Sequence, residues 1–156
     1  EISSSGLYMA TSSDDNSIGL YNLVTLENIC TIKDAHEGMI ARFKNSDDTD
    51  VAGAINSVVF SPDEKYIISC SNDRKIKIFN REDPSLVETI DNSHEGRVIQ
   101  LRLALHPFSL GPIKNIKITP DRKYIVSSSW DCSIEVFDFE SKEHVFSFEH
   151  AHEGKA

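Results

Sequence analysis

The sequence predicts an all-β protein assembled from repeats of one four-stranded antiparallel unit. Asp15, Asp73 and Asp131 stand 58 residues apart, and so do His36, His94 and His152. Tyr8, Tyr66 and Tyr124 keep the same step, as do Ile18, Ile76 and Ile134, and Ile32, Ile90 and Phe148. A period in this range means a stacked or radial array of one supersecondary unit. Short β-rich runs at even spacing, with polar turns between them, argue for strands throughout. No stretch reads as a helix.

The first unit is partial. Leu7 to Ser13, Ile18 to Tyr21 and Ile29 to Ile32 read as its second, third and fourth strands. The second unit is complete. Ile55 to Phe60 is a β-rich run, and Ser61-Pro62-Asp63-Glu64-Lys65 is a turn in which Pro presets φ and Asp bonds its own backbone. Tyr66 to Ser71 is the next strand, and Asn72-Asp73-Arg74-Lys75 reverses the chain. Ile76 to Phe79 alternates as a half-exposed strand should. Arg81 to Pro84 turns again, and Leu86 to Ile90 closes the meander. The third unit repeats this as Ile113 to Ile118, Tyr124 to Ser129, Ile134 to Phe137 and Val145 to Phe148. Eleven strands are expected in all. Val98 to Leu105 competes with Ile113 to Ile118 as the first strand of the third unit. The latter is preferred because Thr119-Pro120-Asp121 copies the turn of the second unit.

Composition narrows the class. At 156 residues the chain has the length of one ordinary domain. No apolar run is long enough for a membrane-spanning helix. The start, Glu1-Ile2-Ser3-Ser4-Ser5, shows no signal peptide and no initiator Met, so the chain reads as part of something longer, or as processed. Cys30, Cys70 and Cys132 lack metal-ligand spacing. Their odd number fits a reducing, intracellular compartment, cytoplasmic or nuclear. A net charge of −9 argues against general binding of nucleic acid and against anionic membrane surfaces. No membrane insertion, metal or cofactor is expected.

The run Ser61-Pro62-Asp63-x-Lys65-Tyr66-Ile67-Ile68-Ser69-x-Ser71-x-Asp73-x-x-Ile76-x-Ile78-Phe79, followed by a His in a loop, resembles the WD40 repeat. The resemblance covers nearly the whole chain, and several independent positions agree in three copies. It implies a partial WD40-type β-propeller: about three four-stranded antiparallel blades around a channel, with the innermost strand first in each unit. The expected layout is a single domain over 1–156. An incomplete blade spans 1–36, a second spans 37–94 with an insertion at 37–54, and a third spans 95–152 with an insertion at 95–112.

The resemblance also implies a hydrogen-bonded set of loop His, second-strand Ser or Thr, turn Asp and third-strand Trp. By position this set is His36, Ser69, Asp73 and Phe79 in blade two, and His94, Ser127, Asp131 and Phe137 in blade three. Blade one offers Thr11, Asp15 and Tyr21, without a His of its own. A partly buried Asp needs donors, and an imidazole N–H with a hydroxyl supplies them. Phe or Tyr at the Trp position removes one member. A Ser, a His and an Asp together invite a catalytic reading. However, a nucleophilic triad is singular and sits beside an oxyanion hole, whereas this set recurs.

The repeat exceeds the family's usual length of about 40–45 residues. The excess lies between the loop His and the innermost strand, and by the layout the resemblance implies, both insertions decorate the face that carries the turn Asp residues. Asp47, Asp48 and Asp50 in the first insertion lack the pattern of a calcium loop, with its central Gly and terminal Glu. In the second, Leu101, Leu103 and Leu105 alternate with Gln100, Arg102 and Ala104, which is strand spacing. Such a face either packs on the propeller or meets a partner. Asp14, Asn72 and Trp130 precede the turn Asp residues, where the family often contacts its partners. Trp130 either contacts a partner or packs under the insertion. His144, His150 and His152 read as loop and strand residues.

These readings favour a non-catalytic scaffold that binds other proteins or peptides, a segment of a longer propeller. The alternatives are a propeller-based enzyme, or a structural subunit whose ring other copies complete.

Overall fold

The computed structural model describes residues 1–37, 54–91, 93–94, 112–149 and 151. Leu101, Leu103, Leu105, Asp47, Asp48, Asp50, His150, His152 and the rival strand Val98 to Leu105 lie outside the described residues.

Eleven strands form three antiparallel sheets, and no helix occurs among the described residues. Blade one is β1 (Tyr8–Ser12), β2 (Ile18–Asn22) and β3 (Glu27–Ile32). Blade two is β4 (Ile55–Phe60), β5 (Tyr66–Ser71), β6 (Ile76–Asn80) and β7 (Val87–Ile90). Blade three is β8 (Ile113–Ile118), β9 (Tyr124–Ser129), β10 (Ile134–Asp138) and β11 (His144–Phe148). Each blade is a simple meander, with strands paired in chain order. Beside β1, Ile2 bridges Met9 in antiparallel sense, and the backbones of Glu1 and Ala10 exchange hydrogen bonds. Glu1 to Ser3 therefore lie where β4 and β8 lie in the other blades.

The turns repeat as closely as the strands. Ser3, Ser61 and Thr119 each donate their backbone N–H to the carbonyl five residues on and accept that residue's N–H on their side-chain oxygen. The fourth residue of this turn is left-handed in every copy: Gly6 at φ 73°, Glu64 at 58° and Arg122 at 60°. The turn after the second strand repeats the device at Asn16, Arg74 and Cys132, with φ between 64° and 68°. A β-turn reversal of this kind needs the left-handed region, which costs about 1 kcal/mol for a residue with a Cβ.

Packing joins the blades face to face. β4 packs against both β1 and β8. One apolar cluster holds Ala10, Ile18 and Leu20 of blade one against Ile55, Val58, Ile67 and Phe79 of blade two. Another holds Ile68, Ile76, Ile78 and Ile90 of blade two against Ile113, Ile116, Ile125 and Phe137 of blade three. This corrects the half-exposed reading of β6. Its two sets of alternating side chains point into different clusters, so Ile76, Ile78 and Phe79 are all buried. Apolar and polar alternation marks a strand with one wet face; in β6 the Ile76 and Ile78 face is buried, while on the other face Phe79 is buried and only Lys77 stays partly exposed.

Candidate functional site

Ser69 lies on β5, Asp73 in the turn that follows it, and His36 in the segment leaving blade one. Packing of the two blades brings the three together. His36 Nδ1 stands 2.9 Å from Asp73 Oδ2, and Nε2 stands 2.8 Å from Ser69 Oγ. A carboxylate only accepts, so Nδ1–H donates to Asp73. In the neutral ring Nε2 then accepts the Ser69 hydroxyl proton. Asp73 also accepts the backbone N–H groups of Glu37 and Lys75 at 3.2 and 2.9 Å. Blade three repeats the set: His94 Nε2 meets Ser127 Oγ at 2.8 Å, and Nδ1 meets Asp131 Oδ2 at 3.2 Å. There Ser133 adds a hydroxyl 2.9 Å from His94 Nδ1 and 2.7 Å from Asp131 Oδ1. Ser133 went unnoticed in the sequence because its counterpart in blade two is Lys75.

The order Ser–His–Asp invites comparison with a hydrolase triad, but the site is closed to substrate. Ser69 and Ser127 are buried, as are both imidazoles. A nucleophile must reach its substrate, and these hydroxyls face packed protein. Chemically the arrangement ties the end of one blade to the turn of the next.

Phe79 and Phe137 are buried beside these sets without hydrogen bonding to them, since a phenyl ring has no donor. Phe137 meets the His144 ring edge-on, with centroids 5.5 Å apart. Blade one is organised differently. Asp15 is exposed and bonds Ser17, and no hydrogen bond joins it to Thr11. Tyr21 leans over Gly19, where a Cβ would stand 2.8 Å from both Thr11 Oγ1 and the Tyr21 ring.

The network carries a pH signature. Burial pushes the Asp131 carboxyl up, but hydrogen bonds from His94, the Ser133 hydroxyl and the Ser133 N–H outweigh it and hold the group below the ordinary carboxylate range. A depressed folded value stabilises the protein above the unfolded value, about 4, and that contribution fades as pH falls through the folded value. Asp131→Asn is therefore expected to destabilise at pH 7, with the gap to wild type narrowing below about pH 4. Denaturant titrations at pH 7 and pH 3 measure this, and a gap that stays constant would contradict it.

A second polar group lies at the inner rim. Asn56 on β4 donates from Nδ2 to Asn72 Oδ1 at 2.8 Å and to the Ile113 carbonyl of the neighbouring blade at 2.7 Å. Lys114 on β8 reaches Asn72 Oδ1 at 3.3 Å and stands 4.1 Å above the Trp130 ring. Asn72 and Trp130 are thus brought close through Lys114. Both are half-buried, whereas Asp14 is exposed. Asn56 and Lys114 were legible only as strand residues, although they too stand 58 apart. The ends of both insertions lie at this rim, because Asn72 N–H bonds the Ala54 carbonyl and Trp130 N–H bonds the Pro112 carbonyl.

Among the described residues no group of three or more His, Cys, Asp or Glu is placed to hold a metal. No helix among them is long and apolar enough to cross a membrane. The cysteines are free, and burial pushes the Cys70 thiol up to about 12, which leaves it unreactive.

Comparison with known proteins adds two findings. The WD domain, G-beta repeat family matches at residues 40–80 and 103–138. A protein of Vanderwaltozyma polyspora named eukaryotic translation initiation factor 3 subunit I is 30% identical over 90 residues. That alignment takes in 58% of this chain and 21% of the relative, so the chain spans about a fifth of that protein's length.

Proposed function

This chain carries WD40 repeats, and from that premise we propose that it is a non-catalytic protein–protein interaction scaffold, a segment of a longer propeller that holds other proteins in one complex. The supporting observation is the duplicated, sealed His–Ser–Asp set. The residues with the most chemistry are used to fasten blade to blade, which leaves function to exposed surface. The relative is named as a subunit of a translation initiation factor. By analogy we infer an intracellular, cytoplasmic assembly of that kind, with protein partners rather than nucleic acid or membrane. The rim that carries Asn72, Trp130 and the ends of both insertions is the contact face we assign, and Asp14 extends it into blade one. Leu101, Leu103 and Leu105 of the second insertion belong to the same proposal.

Lysine cross-linking of the native protein in cell extract, read by mass spectrometry, tests this reading. Partner peptides are expected on Lys75 and Lys114 at the rim, in preference to Lys65 and Lys123 on the opposite turns. Links confined to Lys65 and Lys123 would move the contact face. In a thermal-shift screen with divalent metals and small ligands, clear stabilisation by one compound would favour an enzyme.

A further inference from the structure

Each sheet ends on an outer strand, β3, β7 or β11, that has no strand beyond it. A bare edge is a template for another strand, and proteins blunt it with bulges, charges or Pro. Two of these edges carry a bulge. In β3, Ile29 stands unpaired between Asn28 and Cys30, which pair with Tyr21 and Leu20. In β11, Val145 stands unpaired between His144 and Phe146, which pair with Phe137 and Val136. Val87 holds the same repeat position, 58 residues from each. There it pairs with Phe79, and β7 runs against β6 without a register shift.

Blade two has a neighbour on both sides, so the openness of its outer edge is its own. Leu86 is 60% exposed and Val87 is 45% exposed. Along β6, Arg81 N–H bonds the Lys65 carbonyl and Asn80 N–H bonds the Leu86 carbonyl, so alternate residues serve β5 and β7. With Ile78 opposite Glu88 and Ile76 opposite Ile90, the residues of this segment that bond β6 are Leu86, Glu88 and Ile90. The N–H and C=O groups of Val87 and Thr89 therefore point away from the sheet. Three ion pairs surround this edge, and each puts its acid outside. The side chains of Glu82, Glu88 and Asp91 are 61–84% exposed, whereas those of their partners Arg81, Lys142 and Lys75 are 19–25% exposed. A carboxylate accepts several donors, so each of these acids still offers lone pairs outward.

We propose that β7 takes a fifth strand from a partner protein: an extended segment in which basic and apolar residues alternate. Main-chain hydrogen bonds at Val87 and Thr89 hold it, and side-chain contacts select its sequence. Val87 lies over Phe79 on the face turned to blade one, and Glu88 lies on the face turned to blade three, where Ile90 is buried. Apolar side chains of the added strand line up with the first and basic ones with the second, while Glu82 and Asp91 flank the two ends. A second copy of this chain is a poor occupant, because pairing two β7 edges brings the same outward acids together. The surface is distinct from the rim, and the inference rests on the scaffold reading only in that the ligand is a protein.

Fluorescence anisotropy tests it on the native protein with a labelled octapeptide of alternating lysine and valine. Two controls accompany it: a peptide of alternating glutamate and valine, and the lysine peptide N-methylated along its whole backbone. The lysine peptide is expected to bind about tenfold more tightly than either, and to slow hydrogen exchange at the Val87 and Thr89 amides. Val87→Pro removes an N–H that β6 does not use, a position where an edge strand accepts Pro, and should weaken binding about tenfold. Glu88→Gln keeps the backbone unchanged and should weaken it about threefold. Equal binding of the N-methylated peptide would overturn strand addition, and equal binding of the glutamate peptide would overturn the charge selection. No binding of any peptide would overturn docking at β7 while leaving the rim to its cross-linking test. Slower exchange at Val87 on raising the protein concentration alone would assign the edge to a second copy and overturn the basic partner.

Discussion

Asp73→Ala is expected to destabilise the protein by about 3 kcal/mol, enough to shift the denaturation midpoint well outside error. The Asp73 side chain is only 2% exposed. It accepts the His36 imidazole N–H and the Glu37 and Lys75 backbone N–H groups. Alanine leaves the buried His36 N–H without its acceptor, which costs about 1–3 kcal/mol, and also strips the acceptor from two part-buried backbone N–H groups, where water recovers some of the loss. Asp15→Ala is the internal control. It removes the residue at the same repeat position, but Asp15 is exposed and bonds only its own turn, so its effect should be far smaller. Urea titrations followed by Trp130 fluorescence and circular dichroism compare the two. Equal midpoints for wild type and Asp73→Ala would show that the His–Ser–Asp set does not hold the blades.

The second large effect is expected at Ile68. Its side chain is fully buried between blades two and three, among Ile76, Ile78, Ile113, Ile116 and Phe137. Ile68→Ala should cost about 3–4 kcal/mol, the lost transfer free energy plus the cavity left in a packed joint. Val126 occupies the equivalent position in blade three and is only half-buried. Val126→Ala should cost about 1 kcal/mol, from two methylene equivalents already partly in water. The ratio of the two losses, read from denaturant midpoints, reports whether the blade three face is open in solution. Similar losses would mean that something covers it.

Much of the fold was legible because strands are written locally. A β-rich run between turn signals marks its own ends, and β4, β5, β8 and β9 begin and end at the residues expected from the sequence. The choice of Ile113 to Ile118 as a first strand rested on the copied Thr119-Pro120-Asp121 turn, and this segment pairs with β9. The left-handed residues were not legible. Glu64, Arg74, Arg122 and Cys132 are not residue types that favour that conformation. They adopt it because the flanking strands must pair. The burial of Phe79 on the second face of β6 was hidden for a related reason: alternation reports one wet face, and Phe79 packs into the cluster shared with blade one.

The sequence by itself determined the all-β class, the repeat, the strand limits and the residue types of the polar set, since each rests on spacing and side-chain chemistry along a short window. Only the tertiary structure decided what those residues meet. Asp73 is sealed and Asp15 is exposed, although they share one position in the repeat. Ile90 is buried and Phe148 is half exposed, and Glu64 meets the neutral Ser4 and Ser5 where Arg122 meets the Asp63 carboxylate. The physical reason is that burial and pairing come from a neighbouring blade nearly a full repeat away in the chain. Local propensity carries no information about whether that neighbour is in place.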